Sequence, residues 1–77
     1  MSVQPNPFTT AATVTIDNQE MREGTFFLYD LNGQLIKQQA FYGNQFKLNR
    51  RDLSAGMYLF KVLSDGQLIG NGNLTIQ

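Results

Sequence analysis

The chain has 77 residues, six Lys/Arg against six Asp/Glu, and neither cysteine nor histidine. Those counts exclude a disulfide staple and a thiolate or imidazole metal site. A neutral chain without a basic run also gives no electrostatic case for nucleic acid or an anionic membrane. The length fits one small domain with a thin core, because a chain of this size buries only about 60–65% of its unfolded surface. An apolar share of 42%, with six Phe and three Tyr, suits a folded domain and argues against disorder. No apolar run approaches the roughly 20 residues of a spanning helix, so no membrane span is expected. Residues 1–4 are too short and polar for a secretory leader. They read as a linker remnant ahead of a domain running from Pro5 to Gln77.

Pro5-Asn6-Pro7-Phe8 opens that domain. Each proline fixes its own φ and pushes its predecessor into extended geometry. A polyproline-like segment at a sheet edge is expected, since missing N–H donors are harmless there. Thr10 to Asp17 follows as a half-buried strand, Ala12, Val14 and Ile16 alternating with Thr13 and Thr15. Asn18 to Gly24 is a polar connection in which a short strand or a helical turn is equally open. Thr25 to Leu31 is the most apolar stretch. Either both of its faces are covered or a bulge shifts the register. The preferred reading puts Phe26 and Leu28 inward and then turns Leu31 inward.

Asn32-Gly33 reads as a type I′ hairpin turn, which needs positive φ at both residues. The return strand is Gln34 to Phe41, with Leu35, Ile36 and Phe41 apolar. Tyr42-Gly-Asn44 turns the chain into a short strand, Asn44 to Leu48, with Phe46 and Leu48 inward. Asn49 to Asp52 is a crossing loop in which Asp52 would cap a turn and Arg50-Arg51 would be solvated. Leu53-Ser-Ala-Gly56-Met-Tyr58 then reads as a tyrosine corner. Gly56 supplies a backbone conformation closed to residues with a Cβ, and Leu53 plugs the core beneath. The strand it launches, Met57 to Leu63, turns Tyr58, Phe60 and Val62 one way and Met57, Leu59, Lys61 and Leu63 the other. Asp65-Gly66 is a second two-residue hairpin signal. The last strand is Gln67 to Gln77, with Leu68, Leu74 and Ile76 apolar. Gly70-Asn71-Gly72-Asn73 is expected to interrupt it with a bulge or bend. Six or seven short strands without helical periodicity make an all-β, immunoglobulin-like antiparallel β-sandwich of about seven strands.

Chemistry is sparse. The serines have no histidine to activate them, and the carboxylates Asp17, Glu20, Glu23, Asp30, Asp52 and Asp65 are spread over loops and turns. No catalytic residue, cofactor or metal is assigned, since no D-x-D-x-D spacing supports even a calcium loop. Phe41-Tyr42 is the best candidate for exposed stacking on a sugar, with core packing the favoured alternative.

Three boxes now line up: Pro5-Asn-Pro-Phe8, Leu28-Tyr-Asp-Leu-Asn-Gly-Gln-Leu-Ile36, and Leu53-Ser-Ala-Gly-Met-Tyr-Leu-Phe-Lys-Val62. A glycine-bearing strand closes the chain. From Pro5 to Gln77 the sequence resembles the C-terminal sorting domain of type IX secretion cargo in Bacteroidota, the Por-secretion-tail family. The resemblance implies an immunoglobulin-like sandwich and an address label rather than an enzyme. It implies a cargo that passes the periplasm and reaches the cell surface or medium through an outer-membrane translocon. A sortase-like cysteine peptidase would remove the domain by a cut before Pro5. By motif the carried residues are Pro5, Asn6, Pro7, Gly33, Leu53, Gly56, Tyr58 and Gly72. The family's lysine after the glycine of the final strand is Asn73 here.

The edge of the last strand, at Gly70, Asn71, Asn73 and Gln77, is the expected recognition edge. Such an edge could take a partner's strand or pair two copies of the domain. The alternatives are an adhesion or carbohydrate-binding module, which needs exposed aromatics, and a passive spacer.

Overall fold

The computed structural model describes residues 1–16 and 23–77. Among these the chain forms seven strands: β1 (Ser2–Gln4), β2 (Ala11–Thr15), β3 (Glu23–Tyr29), β4 (Leu35–Tyr42), β5 (Gln45–Asn49), β6 (Gly56–Ser64) and β7 (Gln67–Ile76). Two antiparallel sheets result, one ordered β1-β2-β5 and the other β4-β3-β6-β7. This is the order of an immunoglobulin-type sandwich, with a fourth strand added beside the three of the second sheet. The connection expected at Asn18 to Gly24 falls largely on residues outside the described ones. Its last two residues, Glu23 and Gly24, already belong to β3.

Alternation places the core. Val14, Phe26, Leu28, Leu48, Val62 and Leu74 are fully buried, and Ala12, Ile16, Tyr58, Phe60 and Ile76 join them. Four phenylalanines tie the sheets together. Phe46 of β5 stacks on Phe41 of β4 with centroids 4.8 Å apart and meets Phe26 of β3 edge-on at 5.4 Å. Phe26 in turn stacks on Phe60 of β6 at 5.5 Å. Such pairs contribute about 0.5–1.5 kcal/mol each beyond the area they bury.

Several local expectations are corrected. Ser2–Gln4, read as a linker remnant, pairs with β2 and buries Val3. The Pro5–Pro7 segment is a bend rather than an extended rod, and both X–Pro bonds are cis. It carries the chain from the first sheet to the second, where Phe8 bridges Ile76 in parallel. Leu31 is 63% exposed, because β3 stops at Tyr29. The expected register shift does occur, between Leu28 and Tyr29, but Ile36 of β4 is the residue left over.

Asn32-Gly33 does not form a type I′ turn. Asn32 is not in the positive-φ region and Gly33 is, at 86°. The Asp30 carboxylate accepts the N–H of both Asn32 and Gln34 at 2.9 Å, while Gly33 N–H donates to Asp30 C=O. That Asx-type anchoring favours a type I turn followed by a left-handed residue. Asp65 and Gly66, by contrast, both have positive φ, 53° and 77°, so the two-residue turn forms there. Gly70-Asn71-Gly72-Asn73 does not break β7. The leftover residue lies just ahead of it at Ile69, since Leu63 pairs with Leu68 and Val62 with Gly70. Both glycines face inward: the Phe60 ring lies over Gly72 and the Met1 side chain over Gly70.

The tyrosine corner is present. Tyr58 donates its hydroxyl to the Ser54 carbonyl at 2.6 Å, and Gly56 takes φ of 146° with open space where a Cβ would stand. The glycine is therefore required by the backbone, not by crowding. Leu53 packs half-buried beneath. Tyr58→Phe should cost about 1 kcal/mol and lower the Tm by roughly 4–8 °C. Tyr29→Phe, whose hydroxyl has no partner among the described residues, should leave the melting curve in place.

Candidate recognition edge

β7 is an edge strand. In an antiparallel ladder a residue's N–H and C=O point to the same side, so alternate residues of an edge strand face away from the sheet. On β7 these are Asn71, Asn73, Thr75 and, just beyond, Gln77. Its outer edge is already half covered. Phe8 N–H donates to Thr75 C=O at 3.1 Å, and Gln77 N–H donates to Phe8 C=O at 2.8 Å. One position further along, the Asn6 side chain replaces a backbone. Its Oδ1 accepts from Thr75 N–H at 3.0 Å and its Nδ2 donates to Asn73 C=O at 3.4 Å. A carboxamide has the donor and acceptor of a peptide group, so one asparagine occupies the slot a strand residue would fill.

The expected recognition residues therefore divide. The backbone groups of Gly70 belong to the inner side, toward β6. Gln77 N–H and Asn73 C=O are taken by Phe8 and Asn6. What stays open on the outer side, among the described residues, is the N–H and C=O of Asn71 and the N–H of Asn73.

The motif residues fall into three groups. Pro5, Asn6 and Pro7 form the strap, and Gly72 lies in the strand it borders. Leu53, Gly56 and Tyr58 build the corner. Gly33 sits apart in the β3–β4 turn.

Arg50 joins strap, corner and last strand, a role the sequence did not suggest. Its Nε donates to Leu53 C=O at 2.9 Å, and its Nη1 donates to Thr9 C=O at 3.1 Å and Gln77 C=O at 2.6 Å. The expected Asp52 cap is not formed among the described residues. Leu53 N–H closes the turn on Arg50 C=O instead. Basic residues in a crossing loop are usually solvated, and only the fold brings three carbonyls within reach of this one. Of the Phe41-Tyr42 pair, Phe41 is core and Tyr42 is 78% exposed. On the outer face of the second sheet, Lys61 lies over the rings of Phe27 and Tyr29, 5.6 and 5.4 Å from their centroids.

Among the described residues no group of three or more His, Cys, Asp and Glu could hold a metal ion. No helix there is long and apolar enough to cross a membrane.

An immunoglobulin-type sandwich with a strapped terminal strand hosts many functions, so the fold leaves the role open. The family profile described as "Secretion system C-terminal sorting domain" matches residues 2–76, and the chain belongs to that family. It is thus a sorting domain of type IX secretion, whose members direct export across the outer membrane. No curated protein matches the chain.

Arg50→Lys should lower stability by about 1–3 kcal/mol, because an ammonium's three donors radiate from one atom and cannot match carbonyls set around both Nε and Nη1. Arg51→Lys, in the same exposed loop, should change it by less than about 0.5 kcal/mol. Urea unfolding midpoints at unchanged m-value would check both.

Proposed function

We propose that this domain is a folded address label, gripped by the outer-membrane translocon after transit through the periplasm and then removed by a sortase-like cysteine peptidase. The observation that carries the reading is the family match from residue 2 to residue 76. Its physical content is recognition of shape and backbone, not bond-breaking by the domain itself. The grip falls on the β7 edge, where unpaired peptide groups stand in line between exposed carboxamides. Neutral Asn73 stands where the family's lysine is expected, so this edge is read through its backbone and polar amides rather than through a charge.

The cut lies upstream of Ser2 rather than directly before Pro5. A peptidase needs an extended, unpaired substrate, and Ser2–Gln4 is already held in the ladder with β2. A cleavage site inside a paired strand would require that strand to be peeled off first.

A reporter with a signal peptide, a cleavable linker and residues 1–77 at its C-terminus should reach the medium or surface of a type IX-secreting bacterium. A reporter that stays in the periplasm overturns the sorting role. The processed reporter should end, by mass spectrometry, before Ser2. A terminus within residues 2–4 would show that β1 is opened for cleavage.

A further inference from the structure

The strap shows what the β7 edge accepts. Phe8 is an extended residue running parallel to β7, and its N–H and C=O bond to Thr75 C=O and Gln77 N–H across Ile76. Asn6 fills the next slot, opposite Leu74, with its side chain. The slot after that, opposite Gly72, offers Asn71 C=O and Asn73 N–H in the same geometry. No described residue fills it. Pro5 has no N–H to give, and the bend at Pro5–Pro7 leads the backbone away to β1. Gly72 has no side chain, and Asn71 and Asn73 are exposed.

Resting on the sorting role above, we propose that this slot is where an extended segment of the secretion machinery adds as a parallel strand, and that Asn6 is a displaceable cover over its continuation. Phe8 is 2% exposed and fixes the far end of the strap. Asn6 is exposed, and its longer bond, at 3.4 Å, is the weaker of its two. Lifting the Asn6 carboxamide while Phe8 stays seated would free Asn73 C=O and Thr75 N–H. The open row would then run from Asn71 to Thr75, long enough for a short strand whose backbone supplies affinity while the flanking Asn71 and Asn73 side chains supply selectivity. The cover also blunts the edge against pairing with other chains until such a partner arrives.

Proline at an outward-facing position tests the slot, because it deletes the edge donor and leaves the β6 ladder bonds alone. Asn73→Pro should drop export of the reporter to that of a reporter without the domain, with the fold verified by its amide spectrum. Asn73→Ala keeps the N–H and should retain at least half of export. Asn6→Ala should speed hydrogen exchange at the Thr75 amide about five- to tenfold, the size of one ordinary hydrogen bond, and leave export at or above the parent level. Parent-level export from the folded proline variant overturns the docking slot. Unchanged Thr75 exchange, or export reduced in Asn6→Ala, overturns the cover, and that arm decides even where a proline variant does not fold. A parent reporter that is not exported at all counts against the sorting role instead.

Discussion

An open sandwich has to satisfy the backbone along its sheet edges, and this constraint shapes most of what distinguishes the molecule. Unpaired edge strands invite pairing with other chains. Here two edges are covered in part by side chains standing in for peptide groups. On β7 the stand-in is Asn6, supported by Phe8. On β5 it is the inner face of β4, from which Gln39 Nε2 donates to Lys47 C=O at 3.3 Å and Lys37 Nζ to Asn49 C=O at 3.4 Å. Of the other edges, β1 is only three residues long and β4 carries the leftover Ile36, both devices that discourage further pairing.

Covering the edges in this way couples the two ends of the chain. The strap and the last strand meet across more than sixty residues of sequence, Asn6 bonding to Asn73 and Thr75 at separations of 67 and 69. Arg50 then links the end of the strap, the corner loop and the end of β7 through three carbonyls. The candidate edge exists in its final form only when the first and last strands are both in place.

Features set by neighbours in the chain were legible in the sequence. Alternation identified the inward Phe26 and Leu28 and the two faces of β6, because a pleated strand forces a period of two. The tyrosine corner was legible because its glycine, its tyrosine and the carbonyl it meets lie within a few residues. Asp65-Gly66 was legible for the same reason. Where local signals competed, the reading failed: Asn32-Gly33 lost its type I′ form to the Asp30 carboxylate two residues away. Where partners were distant, it had nothing to work with. No pattern around Arg50 says that Thr9 and Gln77 will come to it, and none around Asn6 says that its amide will pass for backbone. The prolines were correctly placed at a sheet edge, but their work in turning the chain from one sheet to the other depends on where both sheets end.

The parallel course of the strap along β7 has a mechanical consequence. A cargo pulling on Ser2 against a holder at Gln77 draws strap and strand in opposite directions along their common axis. The bonds of Phe8 and Asn6 lie across that axis, so they resist together, in shear, instead of opening one after another like a zipper. The parallel register thus makes these bonds share a load along β7 that an antiparallel strap would meet one bond at a time.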